Sequence, residues 1–274
     1  MENKVQCATK EKLLGMFQWF HMYCEEHNLR YYAVGGTLLG AARHQGFIPW
    51  DDDIDVAMPR DDYEKLKKLI DSDNSGRYRF EFPGARDFVY PYGKLYDTAT
   101  TLIENTRYKT KRGLFLDVFP LDGIGNTREE AVENFRKIDS LLNLFETRVC
   151  AVRKGRKFYK NMAIILMRLI PNCILDNRKI LMQMEEKSKN YNFDSSVYVA
   201  NCVGNWHEKE IALRSSFGTP KLMKFENIDV YGAENYDEYL TGVYGDWRKL
   251  PPKEKQVTHH DYLKLDLSQS YLDE

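Results

Sequence analysis

Apolar side chains recur at Leu13, Leu14, Phe17, Phe20 and Cys24, a spacing of three and four that predicts a helix over residues 10–27. A short apolar segment, residues 31–34, then runs into Gly35-Gly36. Residues 38–42 are predicted as a short helix with Thr37 as its N-cap. Pro49 breaks the chain ahead of Asp51-Asp52-Asp53-Ile54-Asp55-Val56, where Ile54 and Val56 alternate with Asp53 and Asp55 and predict a strand. Tyr63, Leu66, Leu69 and Ile70 share one side of a helix predicted over residues 60–70. Strands are predicted at 78–82, 92–96, 100–103 and 114–119, the last ended by Pro120. Helices are predicted at 128–147, 156–170 and 177–190, and shorter elements with aromatic-rich turns follow. Strands and helices mix without a regular alternation, which argues against a simple doubly wound sheet.

Composition narrows the class. The 274 residues are 43% apolar and 30% charged, ordinary globular usage, and the formal net charge of −1 gives no overall steering toward nucleic acid. Five cysteines (Cys7, Cys24, Cys150, Cys173 and Cys202) lie far apart with no C-x-x-C pair, so neither a zinc ribbon nor a disulfide framework is expected. The N-terminus is polar and charged. The longest apolar run, 162–175, is interrupted by Arg168, Pro171 and Asn172 and is too short to span a bilayer. A cytoplasmic protein with reduced thiols is the expectation. Charge is lopsided in one place: 148–175 holds seven basic residues and no acid. Such a stretch is usually a solvated helix face; beside an apolar run it also suits an anionic membrane surface or a polyanionic acceptor.

The acidic strand carries the chemistry. Alternate strand residues point to one face, so Asp51, Asp53 and Asp55 are expected to project together. Packed carboxylates repel unless a cation lies between them, and hard oxygens select Mg²⁺, with Mn²⁺ as the alternative. An EF-hand loop is excluded, because its sixth position is Val56 instead of Gly and its twelfth is Asp62 instead of Glu. Gly35-Gly36-Thr37, between a strand and a helix, is a candidate phosphate cradle. Asp117, in Leu114-Phe-Leu-Asp-Val-Phe119, adds a third strand carboxylate and suggests metal-assisted phosphoryl chemistry.

The segment from Tyr32 to Tyr63, with Val34-Gly-Gly-Thr-Leu-Leu-Gly-Ala-Ala-Arg43 and Ile48-Pro-Trp-Asp-Asp-Asp-Ile-Asp-Val56 inside it, resembles the LicD family of phosphotransferases and, more distantly, fukutin and fukutin-related protein. The likeness continues through Lys94-Leu-Tyr-Asp97, Phe115–Gly123, and Tyr239–Trp247 with Leu250-Pro-Pro252. It implies a nucleotidyltransferase-like, polymerase-β-type α/β (mixed α+β) core with a mixed sheet and added helices. It also implies transfer of a phospho-alcohol, most often phosphocholine from CDP-choline, onto a hydroxyl of a cell-surface glycan such as lipopolysaccharide, teichoic acid or capsule, releasing CMP. The expected organisation is a catalytic core over 1–147, a basic and apolar helical insertion over 148–190, and a C-terminal part over 191–274 completing the substrate cleft.

Asp53, Asp55 and Asp117 are the expected metal and catalytic residues, with Asp117 taking the acceptor proton. Gly35, Gly36, Thr37, Arg43, Arg60 and Lys94 are the expected phosphate-binding residues. Either arginine serves equally well as a salt-bridge brace, and Lys94 as a structural lysine reaching for solvent. Asp51 and Asp52 are expected to orient the metal ligands, and Asp246 to cap a turn. Trp50, Tyr92, Trp206, Tyr244 and Trp247 are candidates for an aromatic cage around a quaternary ammonium. His259-His260 either line an acceptor cleft or pack. The carboxylates alone leave two other reactions open: nucleotidyl transfer from an NTP, and D-x-D glycosyl transfer from a nucleotide sugar. A non-catalytic binding module is the remaining class.

Overall fold

The computed structural model describes residues 4–72, 74–258 and 262–273. His259 and His260 lie outside these residues. The chain opens with α1 (Lys4–Glu26), whose three-and-four spacing buries Leu13, Met16, Phe17, Phe20 and Cys24. Then come β1 (Tyr32–Ala33), α2 (Gly35–His44), β2 (Asp55–Pro59), α3 (Arg60–Ser72), β3 (Tyr78–Glu81), β4 (Gly93–Glu104) and β5 (Lys111–Gly125). Three helices follow: α4 (Arg128–Val149), α5 (Phe158–Leu169) and α6 (Asn177–Ser188). The rest is β6 (Tyr198–Ala200), a 3₁₀ turn (His207–Glu210), β7 (Ala212–Leu213), α7 (Arg214–Phe217), the hairpin β8 (Lys221–Phe225) and β9 (Ile228–Gly232), α8 (Tyr236–Tyr244) and β10 (Tyr262–Asp266).

The main sheet runs β1-β2-β5-β4-β10, with β3 also on β4 and β6 on the far end of β5. Among the described residues only β2 and β5 pair in parallel, so the sheet is mixed, consistent with a nucleotidyltransferase-like core. β10 joins from the C-terminal end of the chain, so the sheet draws on residues beyond 147.

Four local expectations change. The strands predicted at 92–96 and 100–103 are one strand, β4, carrying an irregularity between Asp97 and Leu102. Pro120 does not end β5, because pairing with β4 stops at Gly93 opposite Val118 and pairing with β6 begins at Asp122. The missing N–H thus falls in a gap between partners. The acidic strand begins at Asp55, not at Asp51; residues 51–54 are irregular. Helix α2 starts at Gly35 with Val34 as N-cap, so Thr37 lies inside its first turn and caps nothing. Its hydroxyl instead accepts the backbone N–H of Asp55 at 2.8 Å.

The β8–β9 hairpin clamps the loop leading to the acidic segment. Glu226 at its tip accepts the Phe47 N–H at 3.0 Å, and its own N–H donates to the Gln45 carbonyl at 2.7 Å.

Candidate active site

Strand register builds the site. Asp55 stands opposite Asp117 across the parallel pair, and Lys94 stands opposite Asp117 across the antiparallel pair. Opposed residues share a face, so two carboxylates and an ammonium form a row across three strands. Lys94 is 1% exposed; its Nζ lies 2.9 Å from Asp117 Oδ1, 3.3 Å from the Phe115 ring centroid and 4.1 Å from that of Tyr90. It is therefore not a lysine reaching for solvent: it is held over aromatic faces and turned toward Asp117.

The Gly-Gly turn closes over this row. Gly35 has φ +55°, a conformation glycine adopts without strain, and a Cβ there would lie 3.1 Å from Asp55 Oδ2. A Cβ on Gly36 would come within 2.4 Å of Asp51 Oδ2, so the start of α2 can sit against two carboxylates only because Gly35 and Gly36 have no side chains. The helix N-terminus brings its positive dipole end to the same place.

The cleft so formed, about 140 Å³, is lined by Gly35, Gly36, Asp53, Asp55, Lys94 and Asp117 on the sheet side. Asn201, Trp206, Glu210 and Tyr239 line it from the C-terminal part. Burial pushes the Asp55 carboxyl well above the usual carboxylate range, and Asp53, Asp117 and Asp51 push it further, while Lys94 offsets only part. Glu210 is a second raised acid: burial moves its carboxyl up to about 7, although the Tyr239 hydroxyl donates to it at 3.4 Å.

Among the described residues, no three His, Cys, Asp or Glu side chains converge to enclose a metal ion by themselves. The donor set instead suits a hard cation held by one or two carboxylates and completed by water and substrate oxygens, the usual way Mg²⁺ binds. Surplus negative charge around Asp55 is what such a cation neutralises.

Not every expected residue arrives. Arg43, at the far end of α2, donates to the carbonyls of Trp247 and Lys249 at 2.8 and 3.3 Å and ties down the C-terminal segment. Arg60 is buried in a bidentate pair with Asp122 at 2.6 and 2.9 Å, five residues along the strands from Asp55 and Asp117. Both make brace contacts here, and neither is among the residues that line the cleft. Asp52 accepts from the Thr258 hydroxyl at 2.7 Å, and Asp246 pairs with Lys249 at 2.7 Å. Of the aromatic candidates, Tyr92 and Trp206 line the cleft; Trp206 meets Tyr244 edge-on at 4.8 Å, and Trp247 donates instead to Asp237.

Glu104, Asn201, Glu210 and Tyr239 line the cleft without having been anticipated. Glu210 lies in His207-Glu-Lys-Glu210, which reads as an exposed charged turn, so no local signal marked it.

A Gly-Gly helix start facing paired strand carboxylates on a mixed sheet defines a nucleotidyltransferase-type enzyme core. Residues 28–140 match the LicD/FKTN/FKRP nucleotidyltransferase domain. The chain is 30% identical over 252 residues to the lipopolysaccharide cholinephosphotransferase LicD of Haemophilus influenzae, covering 90% of this chain and 92% of that protein. It is also 44% identical over 45 residues to the human ribitol 5-phosphate transferase FKRP, 16% of this chain and 9% of that protein. An uncharacterised Rickettsia typhi protein is 30% identical over 148 residues, 46% of this chain and 48% of its own. The chain belongs to the LicD family and is an enzyme of the LicD phosphotransferase type.

Proposed function

We propose that this enzyme transfers a phospho-alcohol, phosphocholine from CDP-choline, onto a hydroxyl of lipopolysaccharide or a similar lipid-linked cell-surface glycan. It does so in the cytoplasm, beside the membrane that carries the acceptor. The observation that carries the reading is the register pairing of Asp55 with Asp117 beneath the Gly35-Gly36 helix start. The likeness to a lipopolysaccharide cholinephosphotransferase over nearly the whole chain supports the choice of alcohol and acceptor.

Asp53 and Asp55 would hold Mg²⁺, with Asp117 completing the set. Bound there, the cation would neutralise charge on the donor diphosphate. The N-terminal turn of α2 receives phosphate oxygens through backbone N–H groups, which the absent side chains of Gly35 and Gly36 leave approachable. Asp117 accepts the proton of the acceptor hydroxyl as its oxygen attacks the phosphorus bearing the alcohol. The bond from that phosphorus to the bridging oxygen breaks, and CMP leaves. Lys94, fixed against Asp117, holds that carboxylate in place. Positioning and charge neutralisation are most of what such a transfer asks of a protein.

Product analysis tests the reaction. With Mg²⁺, CDP-choline and a lipopolysaccharide acceptor, CMP and a choline-bearing glycan are expected. Pyrophosphate from an NTP would make the enzyme a nucleotidyltransferase; a nucleoside diphosphate from a nucleotide sugar would make it a glycosyltransferase. A thermal-shift panel of CDP-choline, CDP-glycerol, CDP-ribitol, CTP and UDP-sugars reads the donor. A ligand at about 100 times its Kd stabilises by roughly 2.7 kcal/mol, and only CDP-choline with Mg²⁺ is expected to do so.

A further inference from the structure

The helical lobe after α4 turns its apolar side chains outward. Helix α5 packs against α4 and buries Ile164, the one wholly buried side chain among its twelve residues. Phe158, Met162, Ile165, Leu166 and Leu169 follow the three-and-four spacing of a single helix face, yet Phe158 is 79%, Leu166 56% and Leu169 72% exposed. Ile174, just beyond the helix, is 75% exposed and extends the patch. A soluble chain of this size does not ordinarily leave such a stripe uncovered.

The cations of the lobe divide into two sets. Arg148 is buried and donates to Asn177 Oδ1 at 2.7 Å, the Met167 carbonyl at 3.0 Å and Asn172 Oδ1 at 2.9 Å, so it knits the lobe together from inside. Arg168 and Arg156 also turn inward, donating to the Cys150 and Ala151 carbonyls at 2.9 Å each. Arg153, Lys154, Lys157 and Lys160 remain exposed, at and before the N-terminal end of α5. No acidic residue lies anywhere between 148 and 175.

We infer that α5 and the loop before it form an interfacial membrane-docking surface: the stripe from Phe158 to Leu169 enters the headgroup boundary of an anionic bilayer, and Arg153, Lys154, Lys157 and Lys160 meet its phosphates. The charge chooses this occupant over a second copy of the chain. A two-fold contact of this stretch with its own copy would bring no carboxylate to the lysines, since 148–175 holds no acid, whereas anionic headgroups neutralise them. The helix lies in the plane of the surface; among the described residues, no helix is long and apolar enough to cross a membrane. Aromatic Phe158 and Tyr159 at its start suit the depth at which such rings settle.

Vesicle co-sedimentation of the full chain tests the docking, with phosphatidylcholine containing about one third phosphatidylglycerol against pure phosphatidylcholine. Wild type should favour the anionic vesicles by roughly tenfold or more, and the preference should fade at high salt. Two variants separate the contributions: Lys154→Glu/Lys157→Glu/Lys160→Glu, and Leu166→Ser/Leu169→Ser. Both alter exposed residues, and unchanged circular dichroism and melting confirm the fold. Each should lose roughly tenfold in binding. Absence of wild-type binding, or binding that survives both variants, overturns the inference. So does a wild-type dimer, seen by light scattering, that Leu166→Ser/Leu169→Ser splits into monomers. The readout is binding and not turnover, so it stands or falls separately from the proposed reaction.

Discussion

Two groups of buried charge flank the parallel pair of β2 and β5, one at each end. At one end Asp55 faces Asp117; five residues on, Arg60 meets Asp122. The second group is balanced: the guanidinium and carboxylate satisfy one another in bidentate fashion, and Glu64 adds a contact at 3.3 Å. The first group is unbalanced around Asp55: Asp53, Asp117 and Asp51 all push its carboxyl up, and the Lys94 ammonium, 2.9 Å from Asp117, offsets only part. A closed ion pair has nothing left to bind. A surplus of one sign beneath a helix N-terminus asks for a cation and an anionic ligand together. Buried charge at the two ends of one strand pair thus becomes a brace at one end and a site at the other.

The contrast is broken most sharply at the acidic end. Asp117→Asn should lower turnover by about three orders of magnitude, the several kcal/mol expected of charge stabilisation at a transferring phosphoryl group. Asp55→Asn should do the same, yet melt no lower than wild type without Mg²⁺, because it removes one of several like charges. Steady-state kinetics beside a thermal melt separates the two effects. The opposite pattern is expected at the brace. Arg60→Met strands the Asp122 carboxylate in the interior and should cost about 3 to 5 kcal/mol in urea unfolding, with turnover per folded molecule preserved. Arg60→Met/Asp122→Leu should recover much of that loss, as an apolar pair replaces an ionic one.

Glu210 sharpens the comparison, since it is a buried carboxyl in the cleft wall belonging to neither group. Its folded-state value, raised by burial from 4.5 to about 7, means the folded protein keeps this proton where the unfolded chain has lost it. Its contribution to stability is present at low pH, declines between about 4.5 and about 7, and is level above. Glu210→Gln should remove that decline and leave the variant more stable above neutral pH by up to about 3 kcal/mol. Urea titrations across the range check it. The smallest effect belongs to Thr37, whose hydroxyl takes the Asp55 N–H. Thr37→Val leaves that donor without its acceptor and should cost about 1 to 3 kcal/mol, while Thr37→Ser should restore most of it.

Much of this was legible in one dimension. The three-and-four spacing of α1, α3 and α4 fixes which faces they bury, because a helix repeats locally. Gly35-Gly36, Asp53, Asp55 and Asp117 stood out since small residues and alternating carboxylates have few other uses. Pro120 misled, because a proline ends a strand only where its nitrogen faces a partner. Thr37 misled in the same way: a threonine before an apolar run suggests a cap, and the helix had already begun at Gly35.

The sequence by itself determined the element spacing, the acidic motif, the glycine turn and the family, all properties of residues near one another along the chain. Tertiary structure alone decided which charges close into pairs. Asp55 and Asp117 lie 62 positions apart, as do Arg60 and Asp122; strand register brings the first pair together, and the start of α3 just past the end of β2 brings the second. Lys94 became a buried partner of Asp117, and Glu210 and Tyr239 became cleft walls, through contacts between distant segments. Whether a charge serves as brace or site depends on what surrounds it after folding, because the cost of burying it is set by its neighbours and not by its own identity.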